Sequence, residues 1–115
     1  MVKVKFTIED GLLKFKASGH ANYGQYGSDI VCSAITILAY TLAESVNDAK
    51  KCEYLSHPPS IMISDGLIVI DCLPLSEQYD RMLTVFNTIK SGYKVLTANY
   101  PENITLDDSG FSQSK

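Results

Sequence analysis

The sequence predicts an α+β domain: an antiparallel sheet of two hairpins with two helices packed on it, ordered ββαββα with room for a short closing strand. Three observations carry this. Apolar and polar residues alternate over 2–8 and again over 13–17, with Asp10-Gly11 between the two runs. A second pair, Asp65-Gly66, divides two short apolar runs. Two longer stretches instead repeat their apolar residues at helical spacing.

In the first hairpin Val2, Val4, Phe6 and Ile8 alternate with Lys3, Lys5, Thr7 and Glu9, the period of a half-buried strand. Asp10-Gly11 supplies the turn, because glycine reaches positive φ at little cost. Leu13, Phe15 and Ala17 continue the apolar face while Lys14, Lys16 and Ser18 point outward. Periodicity then stops. Gly19, Gly24 and Gly27, with Asn22 and Gln25, make a flexible loop that carries Tyr23 and Tyr26. Ser28-Asp29 is a helix N-cap signal, and Val31, Ala34, Ile35, Leu38, Leu42 and Val46 follow at helical spacing, predicting a helix over 30–48.

Residues 50–59 are polar and end in His57-Pro58-Pro59, which no helix interior accepts. The second hairpin, 60–64 and 67–72, is apolar on both faces. It sits centrally in the sheet, or its second face packs on another subunit. Pro74 breaks the pattern, and Ser76 is placed to cap a helix over 76–98, with Glu77 near its positive end. Tyr79, Met82, Leu83, Phe86, Ile89, Tyr93 and Leu96 form its apolar stripe. Pro101 ends it, 103–106 offers a closing strand, and 107–115 reads as a frayed polar tail. The whole chain, 1–115, is read as one domain.

Composition narrows the function. A net charge of −3 gives no basic field for phosphate neutralisation, so direct nucleic-acid binding is not expected. The amino terminus alternates and no apolar run approaches the about 18 residues of a membrane span, so neither signal peptide nor membrane is expected. Three cysteines, an odd count, point to reduced thiols in the cytoplasm. Their even spacing lacks a metal-knuckle pair and there are only two histidines, so no metal and no cofactor is expected.

The chemistry concentrates around Cys32. If Asp29 caps the helix, Cys32 is its third residue, where unpaired N–H groups and the helix dipole favour a thiolate. The same N–H groups can hold an oxyanion. The plainer reading is a half-buried structural thiol. His20 follows the first hairpin directly and can act as the base of an activated nucleophile, or be a surface histidine. Asp29 serves as cap first, and provisionally as the group that orients the His20 ring. Thr36 is one turn beyond Cys32, so its hydroxyl either lines the site or bonds the carbonyl four residues back. Ser33 is a weaker candidate nucleophile. Tyr23 and Tyr26 hold an apolar substrate side chain or pack the loop. Cys52 and Cys72 have no base nearby in sequence and read as structural; His57 sits in an exposed turn.

Gly19-His20-Ala21, Tyr26-Gly27 and Asp29-Ile30-Val31-Cys32 together resemble the ribosomal-processing cysteine proteases of Firmicutes and relatives, the Prp family. The hairpin-and-helix layout and the closing Glu102-Asn103-Ile104 to Leu106 segment extend the resemblance over nearly the whole chain. It implies an endopeptidase that removes a short N-terminal extension from a large-subunit ribosomal protein, the twenty-seventh in the usual count, before ribosome assembly. It implies His20 and Cys32 as the catalytic pair, a loop that orders over the bound peptide, and a homodimer. The implied substrate is apolar and aromatic up to the cut with a small residue after it, which suits a weakly acidic, tyrosine-bearing cleft. Gly19, Tyr23, Tyr26, Gly27, Asp29, Ser33 and Thr36 are then the supporting or substrate-binding residues. The family often has serine where this chain has Thr36. The alternative from another class is a non-catalytic, ribosome-associated module whose loop grips a protein partner.

Overall fold

The computed structural model describes residues 1–20 and 29–111. Five strands, β1 (Val2–Glu9), β2 (Leu12–Gly19), β3 (Ser60–Ser64), β4 (Leu67–Cys72) and β5 (Ile104–Gly110), form one sheet in the order β3-β4-β2-β1-β5. Helices α1 (Ile30–Lys51) and α2 (Tyr79–Asn99) pack on it and on each other, α1 against β4 and α2 against β5. The alternation read from the sequence decides which face they cover. Val2, Val4, Phe6, Leu13, Phe15 and Ala17 are buried beneath them, while Lys3, Lys5, Lys14 and Lys16 stand on the open face.

Two strands differ from expectation. The sheet is mixed, because β5 pairs with β1 in parallel, whereas β1·β2, β2·β4 and β3·β4 are antiparallel. β5 also runs to Gly110, so 107–110 is strand and not frayed tail. Its anchor is Phe111, 3% exposed, whose ring lies 5.6 Å from that of Phe6 and 6.2 Å from that of Phe86. Burying one such side chain contributes about 1.5–3 kcal/mol, enough to hold a short polar segment in register. The second hairpin is not central as a unit. β4 lies inside the sheet but β3 is its edge and largely exposed.

Helix α1 continues to Lys51 instead of stopping at residue 48. It closes without glycine: Glu53 takes φ 62, its N–H donates to the Lys50 carbonyl at 3.0 Å, and Tyr54 N–H donates to the Ala49 carbonyl at 2.9 Å. That is a Schellman ending with glutamate in the left-handed position. A 3-10 turn, Ser76–Gln78, precedes α2, so Ser76 does not cap it; its hydroxyl donates to the Glu77 carboxylate at 3.4 Å. Between the helices the Tyr93 hydroxyl donates to the Ile35 carbonyl at 2.8 Å, and the Tyr93 ring stacks on Phe15 at 5.5 Å. Burial raises the Tyr93 phenol well above its ordinary value.

Candidate active site

His20 is set by strand ends. Gly19 closes β2 with φ +103, and a Cβ there would lie 2.3 Å from the Met1 carbonyl oxygen, so only glycine fits. The Gly19 N–H donates to the Gly66 carbonyl at 2.9 Å, and the Met1 amine donates to the His20 carbonyl. These bonds tie the residue to β1 on one side and to the β3–β4 turn on the other. The exposed imidazole lies against Gly66.

Cys32 is set by the cap of α1. Asp29 is extended, φ −79 and ψ 99, and its Oδ1 accepts from the Cys32 N–H at 2.9 Å. Its carbonyl accepts from the Ser33 N–H at 3.1 Å and the Ser33 hydroxyl at 3.2 Å. Asp29 is thus the cap the sequence predicts, and the Cys32 N–H is committed to its carboxylate. By helix geometry the N–H groups of Ile30 and Val31 are the ones the first turn leaves without intrahelical acceptors. The Cys32 thiol is half-buried.

A cleft of about 430 Å³ brings these elements together. His20, Cys32, Gly19 and Thr36 all line it, along with Val2, Ala17, Ile35, Tyr40, Ile68 and residues 63–67 of the second hairpin. The Cys32 thiol and the His20 imidazole come from different elements and open onto one surface. Thr41, Ser45, Thr84, Thr88 and Ser91 each donate to the carbonyl four residues back. Thr36 makes no such bond among the described residues, leaving its hydroxyl to the cleft. Asp29 and Ser33 are not among the described lining residues. Tyr23, Tyr26 and Gly27 lie outside the described residues, as does the loop expected to carry them.

The contribution of the second hairpin was invisible in the sequence, where Asp65-Gly66 reads only as a turn. The other thiols are placed differently. Cys52 is exposed at the end of α1; Cys72 is buried, and burial first, then the Asp71 charge, push its thiol from 9.0 up to about 12. His57 is exposed and shares a hydrogen bond with the Ser56 hydroxyl at 3.1 Å, beside a separate cavity.

Residues 1–105 match the family model described as cysteine protease Prp. The ribosomal processing cysteine protease Prp of Bacillus subtilis (strain 168) is 34% identical over 43 residues, so the match spans 37% of this chain and 38% of that relative. Similarity to solved structures is broader. The crystal structure of an essential ribosomal processing protease Prp from S. aureus, in complex with a covalently linked product peptide, superposes with a TM-score of 0.70 at 28% identity, covering 94% of this chain and 99% of that one. The same protease with a substrate peptide gives 0.65 at 28% identity and the same coverage, and SMU.848 from Streptococcus mutans gives 0.66 at 26%, covering 94% and 93%. With a family match over nearly its full length, and a thiol and an imidazole opening onto one cleft, the chain belongs to the cysteine protease Prp family.

Proposed function

We propose that this chain is an endopeptidase that removes the short N-terminal extension of the twenty-seventh large-subunit ribosomal protein, with Cys32 as nucleophile and His20 as base. One observation carries it: both residues line a single cleft, each fixed by its own element. The Cys32 sulfur attacks the scissile carbonyl as His20 takes the thiol proton. The carbonyl oxygen gains the negative charge, held by first-turn N–H groups of α1. When the C–N bond breaks, His20 returns the proton to the leaving amine and an acyl-thioester remains on Cys32. Water, deprotonated by His20, hydrolyses it and restores the thiol. The covalently linked product peptide of the S. aureus relative supports a covalent step.

The cleft suits an apolar stretch before the cut, since Ala17, Ile35, Ile63 and Ile68 line it. The enzyme is read as a cytoplasmic homodimer that needs neither nucleic acid nor membrane. Ile30, Ile37 and Val95 are 58%, 62% and 61% exposed, large apolar side chains of the two helices that a second copy would cover. Light scattering at high concentration tests this: a dimer is expected, and a monomer removes it. The activity is tested with a synthetic peptide carrying the extension and the first residues after the cut. The parent should cleave it at one bond. Cys32→Ala should be inactive, and His20→Ala should lose about 10²–10⁴-fold in kcat. Undiminished cleavage by either variant would remove the dyad.

A further inference from the structure

We propose that Gly66, in the turn of the second hairpin, is a positioning residue for His20: the turn presents a side-chain-free seat on which the catalytic imidazole rests. This rests on the reading of His20 as base and adds a component to it. A Cβ built on Gly66 would sit 3.0 Å from His20 Nε2, 3.6 Å from Cε1 and 3.8 Å from Cδ2. The imidazole therefore lies directly against the turn backbone, and a Cβ at this position would make the ring give by a few tenths of an ångström. Gly66 also accepts the Gly19 N–H at 2.9 Å, so the seat and the backbone of the strand end that carries the ring are bonded to each other. The φ of +74 selects glycine for the turn, and the same missing Cβ leaves the ring its room.

The first hairpin supplies a matched control within the same molecule. Its turn has the same sequence, Asp10-Gly11, and Gly11 has a similar φ of +82. A Cβ on Gly11 meets only Leu73 Cδ1, at 3.5 Å, an ordinary van der Waals contact. A methyl group therefore strains both turns alike, but at position 66 alone it also pushes on His20.

The experiment compares Gly66→Ala, Gly66→Asn and Gly11→Ala in thermal melting, in peptide cleavage and in the rate at which iodoacetamide alkylates Cys32. Asparagine accepts a left-handed backbone better than alanine, so Gly66→Asn keeps the turn while still placing a Cβ against the ring. Both alanine variants should lose a similar few degrees in Tm. Gly66→Ala and Gly66→Asn should lose at least tenfold in kcat and react more slowly at Cys32, whereas Gly11→Ala stays within twofold of the parent in both. In one-bond ¹H–¹³C spectra of the imidazoles the His20 signals should move in both position-66 variants, while those of His57 stay in place. Folded position-66 variants with parental kcat and alkylation rate would overturn the proposal while leaving the dyad standing. If His20→Ala cleaves at the parental rate, the reading beneath it fails as well.

Discussion

The two hairpins share a turn sequence, Asp-Gly, but do different things with it. In the first, Asp10 and Gly11 are both left-handed, φ 52 and 82, and the strands they join are buried on one face and lysine-covered on the other. In the second only Gly66 is left-handed, the edge strand is mostly exposed, and the turn meets a histidine from the end of the first hairpin. Both hairpins give residues to the core and to the cleft, but only the second brings its turn to the cleft. A turn motif announces a change of direction, and only the tertiary neighbour decides whether it also carries function.

This contrast can be broken by exchanging the expected costs. Phe15, 0% exposed, packs on Phe6 at 5.2 Å and on Tyr93, so Phe15→Ala should lower the unfolding free energy by about 3–5 kcal/mol in urea titrations. A loss near 1 kcal/mol would mean the first hairpin is not the stabilising one. The seam between hairpins, where Cys72 of β4 faces Leu13 of β2, should show next in the pH dependence. Below pH 9 both folded and unfolded states keep the Cys72 proton and stability is full. Above it the unfolded chain releases that proton while the fold holds it to about 12, so stability should fall by about 1.4 kcal/mol per pH unit. Between pH 8.5 and 9.5, where unfolded tyrosines still keep most of their protons, Cys72→Ala should lose most of that slope. The smallest stability effect belongs to the second hairpin. Ile63 is 46% exposed and lines the cleft, so Ile63→Ala should cost about 0.5 kcal/mol yet raise KM for the peptide severalfold.

What the sequence revealed follows from how local each signal is. Alternation through Val2 to Ala17 and the helical stripes gave the strands, the helices and the covered face, because side-chain period and burial are set within each element. The end of α1 was missed because Glu53 takes the left-handed position that glycine usually marks. β5 was missed beyond Leu106 because Asp107 to Gly110 is polar and gains its place by pairing with β1, over 100 residues earlier in the chain, and from the Phe111 anchor that follows it. In the candidate site, the motif singled out His20 and Cys32, which share one cleft, and the role of Asp29 as cap was legible from its place before the helix. The second hairpin's part was not, since no spacing in the chain brings Gly66 to His20; the β2–β4 ladder does.

Most directly at stake is whether Cys32 is an activated thiol served by His20, and its alkylation kinetics report on that without any assumption about substrate. Iodoacetamide labelling at pH 6 to 7, mapped by mass spectrometry, should modify Cys32 before the exposed Cys52 and leave the buried Cys72 unlabelled, because only the thiolate reacts. In His20→Ala the Cys32 rate should fall to that of Cys52. Equal rates at Cys32 and Cys52 in the parent, unchanged in His20→Ala, would contradict the dyad.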